Sequence, residues 1–183
     1  PFEDEWHPIA KNGGRHTLAW ARIDLDLERD EALIEEIQTD WIRLALKSMK
    51  VAIAIERGNI RKPRHLPWYL DRLGCDAQVL SRYVKEELKT HMEIWEEAML
   101  ASTINLLREE VGISKIYYHS FESGYTLKRI SGRKPPRSLY TRLPARFCFE
   151  KTSEAPSFLT EKQNRKIVRT IKNGSFHFYK LTI

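Results

Sequence analysis

The feature that most constrains the fold is one long amphipathic stretch in the middle of the chain, from about Asp76 to Val111. Leu80, Tyr83, Val84, Leu88, Met92, Trp95, Met99, Leu106 and Leu107 recur there mostly at three- and four-residue spacing, the signature of a single helical face. Asp76 stands where it can cap the start, and Gly112 where it can stop the end in a left-handed turn. So long a run leaves room for a break inside it. A helix of this kind must bury its stripe against a partner layer, and the flanking sequence supplies strands for one.

Ahead of the helix, HTLAWARIDLD (His16 to Asp26) puts Thr17, Ala19, Ala21, Ile23 and Leu25 on one face, and ALIEEIQTDW (Ala32 to Trp41) does the same for Leu33, Ile37 and Trp41. The short polar connector LERDE suits a hairpin. IRLALKSMKVAIAIERG reads as a helix closing near Gly58, although Val51, Ile53 and Ile55 fit a strand equally well. Pro63 and Pro67 make IRKPRHLPWYLDRLG a loop. After the long helix, Ile113 to Phe121 reads as a central strand with Ile116 and Tyr118 buried. SLYTRLPARFCF follows as a short helix, FLTEKQNRKIVRTI as another, and Ser175 to Ile183 as a closing strand. The expected fold is α/β (α+β), a mixed and mainly antiparallel sheet flanked by helices, in a single domain spanning 1–183.

Charge is unevenly spread along the chain. Residues 115–183 hold fifteen Lys or Arg against four acids, while the first 114 hold sixteen against twenty-one. A basic C-terminal half of this kind suggests a surface that meets phosphate or an acidic partner. Five Trp and 42% apolar residues belong to a folded chain. No apolar run approaches the ~18 residues that span a bilayer, so no membrane partner is expected. The acidic start lacks an apolar signal segment, and Cys75 and Cys148 stand outside any C-x-x-C spacing. A cytoplasmic protein with two free, partly buried thiols is the expectation.

The candidate chemistry begins on the second strand. Glu36, Gln38 and Asp40 alternate onto one face, the ordinary pattern of a half-exposed sheet, whereas Glu35 falls on the face of Leu33 and Ile37. An inward carboxylate needs a partner or a function, and partial burial suits a general base. His91, with Glu87 one turn earlier, lacks the further ligands of a zinc site, so no metal is expected. His119 can be a proton shuttle or a structural histidine. The segment Lys128 to Arg146 carries Lys128, Arg129, Arg133, Lys134, Arg137, Arg142 and Arg146 with Tyr125, Tyr140 and Phe147 around it, a composition able to hold phosphate. It does not match an RRM, KH or zinc-finger signature, and the chain has no P-loop, dinucleotide-binding or nucleophile-elbow motif.

Helix, strand (Ile113 to Phe121), short helix SLYTRLPARFCFEK and final strand FHFYKLTI together resemble the C-terminal half of the GNAT acyl-CoA N-acyltransferases. That family's short helix reads roughly x-L-Y-x-x-L-G-F, and Leu139-Tyr140 and Phe147 to Phe149 occupy comparable places. The resemblance covers about the last 70 residues. It implies an acyl-CoA cofactor such as acetyl-CoA, an amine substrate, Glu35 or Glu36 as the base and Tyr140 as the acid. Arg133, Lys134 and Arg137 are then the phosphate contacts. The family's glycine turn for the coenzyme pyrophosphate has no counterpart, since IRLALKSM follows IEEIQTDW directly. IEEIQTDW and YTRLP also resemble the E-E-I-Q-S-D-W and Y-D-x-x-L-P segments of domains in phage and plasmid polyvalent proteins. Two rival expectations use the basic half without catalysis: a nucleic-acid-binding module, or a domain that docks on an acidic protein.

Overall fold

The long amphipathic stretch is helical from end to end, and it is not one regular helix. In the computed structural model, which describes residues 2, 16–61, 76–128, 135–161, 165–174 and 176–183, an α-helix at Ala77–Arg82 (α2) passes through a π turn at Tyr83–Glu87. It continues as an α-helix at Lys89–Asn105 (α3), and ends in a second π turn at Leu106–Val111. Asp76 accepts a hydrogen bond from the Val79 N–H, and Gly112 closes the run at φ 79°. Each π turn adds a residue to the local repeat and rotates the stripe. Leu107 is therefore fully buried while Leu106, expected beside it, is exposed.

Contacts divide the chain into two compact units, Pro1–Trp20 with Gln38–Trp95, and Ala21–Ile37 with Glu96–Ile183. In the first, the helix Asp40–Glu56 (α1) packs Ile42, Leu44 and Ala45 on Leu80, Val84, Leu88 and Phe2. The Trp41 indole donates to the Tyr83 hydroxyl at 2.7 Å, and the Phe2 ring meets both residues. The chain turns helical earlier than expected. Thr39 accepts the Ile42 N–H and donates to the Leu18 carbonyl at 2.6 Å, so Asp40 and Trp41 begin α1 and do not extend the strand. Val51, Ile53 and Ile55 are helical, and Gly58 follows at φ 70°.

The second unit is built on a mixed sheet. Among the described residues its strands are Trp20–Asp26 (β1), Glu31–Gln38 (β2), Lys115–His119 (β3), Glu150–Thr152 (β4) and Phe178–Thr182 (β5), in the order β1-β2-β3-β5-β4. The four-residue turn after Asp26 permits only an antiparallel hairpin between β1 and β2. β2 and β3 run parallel with Ile34 opposite Tyr118, and β3–β5 and β5–β4 are antiparallel. β3 is thus the expected central strand, with Ile116, Tyr117 and Tyr118 wholly buried. Asp30, at φ 57° in the hairpin turn, accepts the Ser114 N–H at 2.7 Å and the Ser114 hydroxyl, which fixes where β3 starts beside β2.

On one face of this sheet Leu33, Tyr117 and Phe178 pack with Phe158 and Leu159 from the helix Ser157–Glu161 (α6). The buried Glu31 carboxylate accepts the Ser157 N–H at 2.8 Å and its hydroxyl at 3.0 Å. The short helix Phe121–Leu127 (α4) follows β3 directly, capped by Ser120. The expected SLYTRLPARFCF helix is a 3₁₀ turn at Arg137–Tyr140 followed by the helix Arg142–Arg146 (α5). FLTEKQNRKIVRTI forms α6 and then Arg165–Asn173 (α7), and the three-residue β4 was not anticipated. The first strand starts at Trp20 and not at His16, with Leu25 exposed. Cys148 is exposed, not partly buried. Cys75 and the proline loop from residue 62 onward lie outside the described residues.

Candidate functional site

At the C-terminal end of β2 the carboxylates of Glu35 and Glu36 leave the sheet in opposite directions, as strand alternation requires. One guanidinium on β1 reaches both: Arg22 Nη1 lies 3.9 Å from Glu35 and 3.1 Å from Glu36. Lys128, just past α4, donates to Glu36 Oε2 at 2.6 Å and to the Glu35 carbonyl at 3.5 Å. Burial, then the nearby Asp24, pushes the Glu35 carboxyl above its ordinary value, against the pull of Lys128 and Arg22. Glu35 is thus a carboxylate with a raised proton affinity held beside two cations.

Tyr140 comes to the same region from the 3₁₀ turn. Its ring lies 5.8 Å from Tyr118 and 6.4 Å from Phe121. Burial, then Glu36 and Glu35, pushes its phenol up to about 12, so it keeps its proton at neutral pH. Gly124 on α4 makes this approach possible. A Cβ there would meet the His119 Cβ at 3.3 Å and the Tyr140 ring at 3.7 Å. The turn after α5 is closed by Cys148 at φ 59°, whose N–H bonds the Ala145 carbonyl at 3.3 Å. Cys148 therefore adopts the left-handed conformation natural to glycine, immediately before the buried Phe149.

The sequence-level candidates separate in space. Glu35, Glu36 and Tyr140 are brought together within the second unit. Arg137 is turned outward, donating to Glu122 at 3.0 Å and standing 4.5 Å over the Phe121 ring. Arg133 and Lys134 lie outside the described residues. Asp40 belongs to the first unit, where Trp20, Gln38 and Arg43 donate to its buried carboxylate at 2.9, 2.7 and 2.5 Å. His119 is buried against Phe178 with Nδ1 3.0 Å from the Ser123 hydroxyl, and burial lowers it to about 3. It is a neutral, structural histidine at physiological pH. Sequence reasoning singled out neither Arg22 nor Lys128 as a partner of the carboxylates, although both are basic residues within or beside elements it had drawn.

The acyl-CoA implied by the resemblance needs donors for its phosphates. The helix after β2 offers none, because Thr39 and the buried Asp40 occupy its first turn and a fixed carboxylate repels an anion there. Arg137 is already paired. Of the expected phosphate contacts, Arg137 is thus turned to Glu122, and Arg133 and Lys134 lie outside the described residues. The described residues lack any group of three or more His, Cys, Asp or Glu placed to hold a metal ion.

The charge asymmetry does not follow the units. The first contains thirteen Lys or Arg against ten acids and the second eighteen against fifteen, so each carries the same excess of three. Within the second unit, Lys128, Arg137, Arg146 and Lys180 pair with Glu36, Glu122, Glu97 and Glu154. None of the described helices is long and apolar enough to cross a membrane. No family model matches the chain, and neither does any curated protein or solved structure.

Proposed function

We propose that the chain is a GNAT-like, N-acyltransferase-related protein whose second unit keeps the proton-handling side of such a site. An amine acceptor binds beside Glu35, Glu36 and Tyr140. The observation that carries this reading is the assembly of one partly buried carboxylate with raised proton affinity and one protonated, buried phenol around the Glu36 carboxylate. Glu35 accepts a proton from the bound ammonium and leaves a nucleophilic amine. Tyr140 stays protonated and donates a hydrogen bond. Two features of the fold support the family resemblance: the mixed sheet whose β2 carries the carboxylates, and the left-handed Cys148 before Phe149 where the motif has glycine. No step is assigned to acyl-CoA.

Calorimetric titration tests the reading with n-butylamine and, separately, with acetyl-CoA at millimolar concentration. Amine binding that is lost in Glu35→Gln supports the site as drawn. Coenzyme binding followed by acyl transfer to the amine extends it to a full transferase, in which Tyr140→Phe should lower kcat by about 10²–10⁴-fold with coenzyme affinity unchanged. Binding of neither overturns the enzyme reading and returns the nucleic-acid module and the acidic-partner domain to first place. A log–log salt slope on oligonucleotides then separates those two.

A further inference from the structure

We infer that the outer face of α7 is a docking surface for the phosphate backbone of a nucleic acid. The inference stands independently of the amine-site reading. From Lys162 to Ile183 the sequence holds six Lys or Arg and no acid, and α7 carries four of them, Arg165, Lys166, Arg169 and Lys172. The helix is two-sided. Ile171 packs against the cluster of Leu33, Tyr117, Phe158, Leu159 and Phe178, and Val168, one turn earlier, is half-buried. Lys166, Arg169 and Asn173 are exposed on the opposite side, at the i, i+3, i+7 spacing of one helical face, with Thr170 half-buried beside them. Among the described residues neither Lys166 nor Arg169 has a carboxylate partner, whereas Lys128, Arg137, Arg146 and Lys180 each have one.

The chemistry of this face selects its partner. Exposed cations on a helix without acids meet a polyanion. A bilayer surface would need the apolar side of α7 as well, and Ile171 commits that side to the core. An acidic protein is held best around buried aromatic or aliphatic anchors, and Lys166, Arg169, Thr170 and Asn173 supply none. They supply what phosphate oxygens accept from: an ammonium, a guanidinium, a hydroxyl and an amide. At about 1.5 Å per residue, Lys166 to Asn173 spans about 10 Å, the axial length of about three phosphates on one strand.

The test is fluorescence anisotropy on the full chain across a salt series, with a labelled DNA single strand of about 20 nucleotides and the matching duplex as probes. The double variant Lys166→Gln with Arg169→Gln should keep the wild-type Tm, since both side chains are exposed. It should bind about 10–100-fold more weakly at about 0.1 M salt, with a log–log salt slope shallower by about 1.8 on duplex or about 1.4 on the single strand. Lys85→Gln with Lys89→Gln removes the same charge from exposed positions of the first unit and should leave the wild-type slope in place. A wild type that binds neither oligonucleotide overturns the inference. A control that loses as much as the α7 variant overturns it too, because binding then follows net charge and not this face. Tighter binding of poly-glutamate, or of phosphatidylserine vesicles, than of either oligonucleotide replaces the nucleic acid with an acidic protein or a membrane.

Discussion

Replacing Lys128 with methionine removes the cation that Glu36 is built around and keeps most of the side chain's volume. The pair is short, at 2.6 Å, with the two side chains only 15% and 18% exposed. Breaking a fully buried ion pair costs about 3–5 kcal/mol, and losing a charged hydrogen bond about 1.5–3. Arg22, half-exposed at 3.1 Å, still faces the orphaned carboxylate, which lowers the expected loss to about 1–2 kcal/mol. For a chain of this size that is a Tm lower by about 2–8 °C. The described tryptophans Trp20, Trp41 and Trp95 all belong to the first unit, so tyrosine near-ultraviolet circular dichroism is the probe for the second. Glu36→Gln in the Lys128→Met background should recover much of the loss, because no buried charge is then left behind. Lys128→Met also removes a charge that holds the Glu35 carboxyl down. An acid whose folded pKa is raised costs stability only when ionised. The cost is absent below the ordinary value of 4.5, grows as pH rises through the window above it, and is complete beyond the raised value. The variant's stability should therefore fall over a wider pH range than the wild type's. A loss below about 0.5 kcal/mol, or a double variant whose losses simply add, would refute the coupling.

Three further substitutions or titrations check the neighbourhood. Cys148→Gly should raise Tm: about 1–2 kcal/mol of left-handed strain is relieved, offset by roughly 0.5–1 of added chain freedom, and a fall would show that the thiol matters to packing. Gly124→Ala should destabilise despite alanine's better helix propensity, because its Cβ would stand 3.3 Å from the His119 Cβ; a more stable variant on urea titration contradicts that packing. His119, lowered to about 3, should show no imidazole titration by NMR between pH 5 and 8. Its depressed folded pKa makes stability fall as pH drops from its ordinary 6.5 toward that value, so a midpoint near 6.5 would refute its burial.

The long helix, its Asp76 cap, its Gly112 stop and the β3 strand were legible because each is written in local sequence: a period, a cap, a left-handed stop, a β-branched and aromatic run. The π turns were not, since the apolar spacing tolerates one extra residue and only the exposure of Leu106 reveals the shift. Alternation carried β2 past its true end, because Gln38 and Asp40 continue the period while Thr39 caps a helix. Local pattern and local capping conflicted there, and the helix propensity of the following residues decided the outcome.

The carboxylates of the site were visible as charges inside an apolar strand, and Tyr140 through the motif around it. Their partners were hidden for a topological reason. Arg22 meets Glu35 and Glu36 only once the hairpin sets its register, and Lys128 only once β3 lies parallel to β2 and α4 turns back toward its end. The charge contrast between residues 1–114 and 115–183 failed for the same cause. The acid-rich 21–37 segment is folded into the unit that holds the basic C-terminal stretch, so its acids meet those bases there and the contrast disappears. Among the described residues, Lys128 and Arg146 of that stretch pair with Glu36 and Glu97 outside it, and Arg137 and Lys180 with Glu122 and Glu154 within it. A surface for phosphate must therefore be argued from individual side chains and not from the count. Among the described candidates, Lys128, Arg137 and Arg146 each pair with a carboxylate.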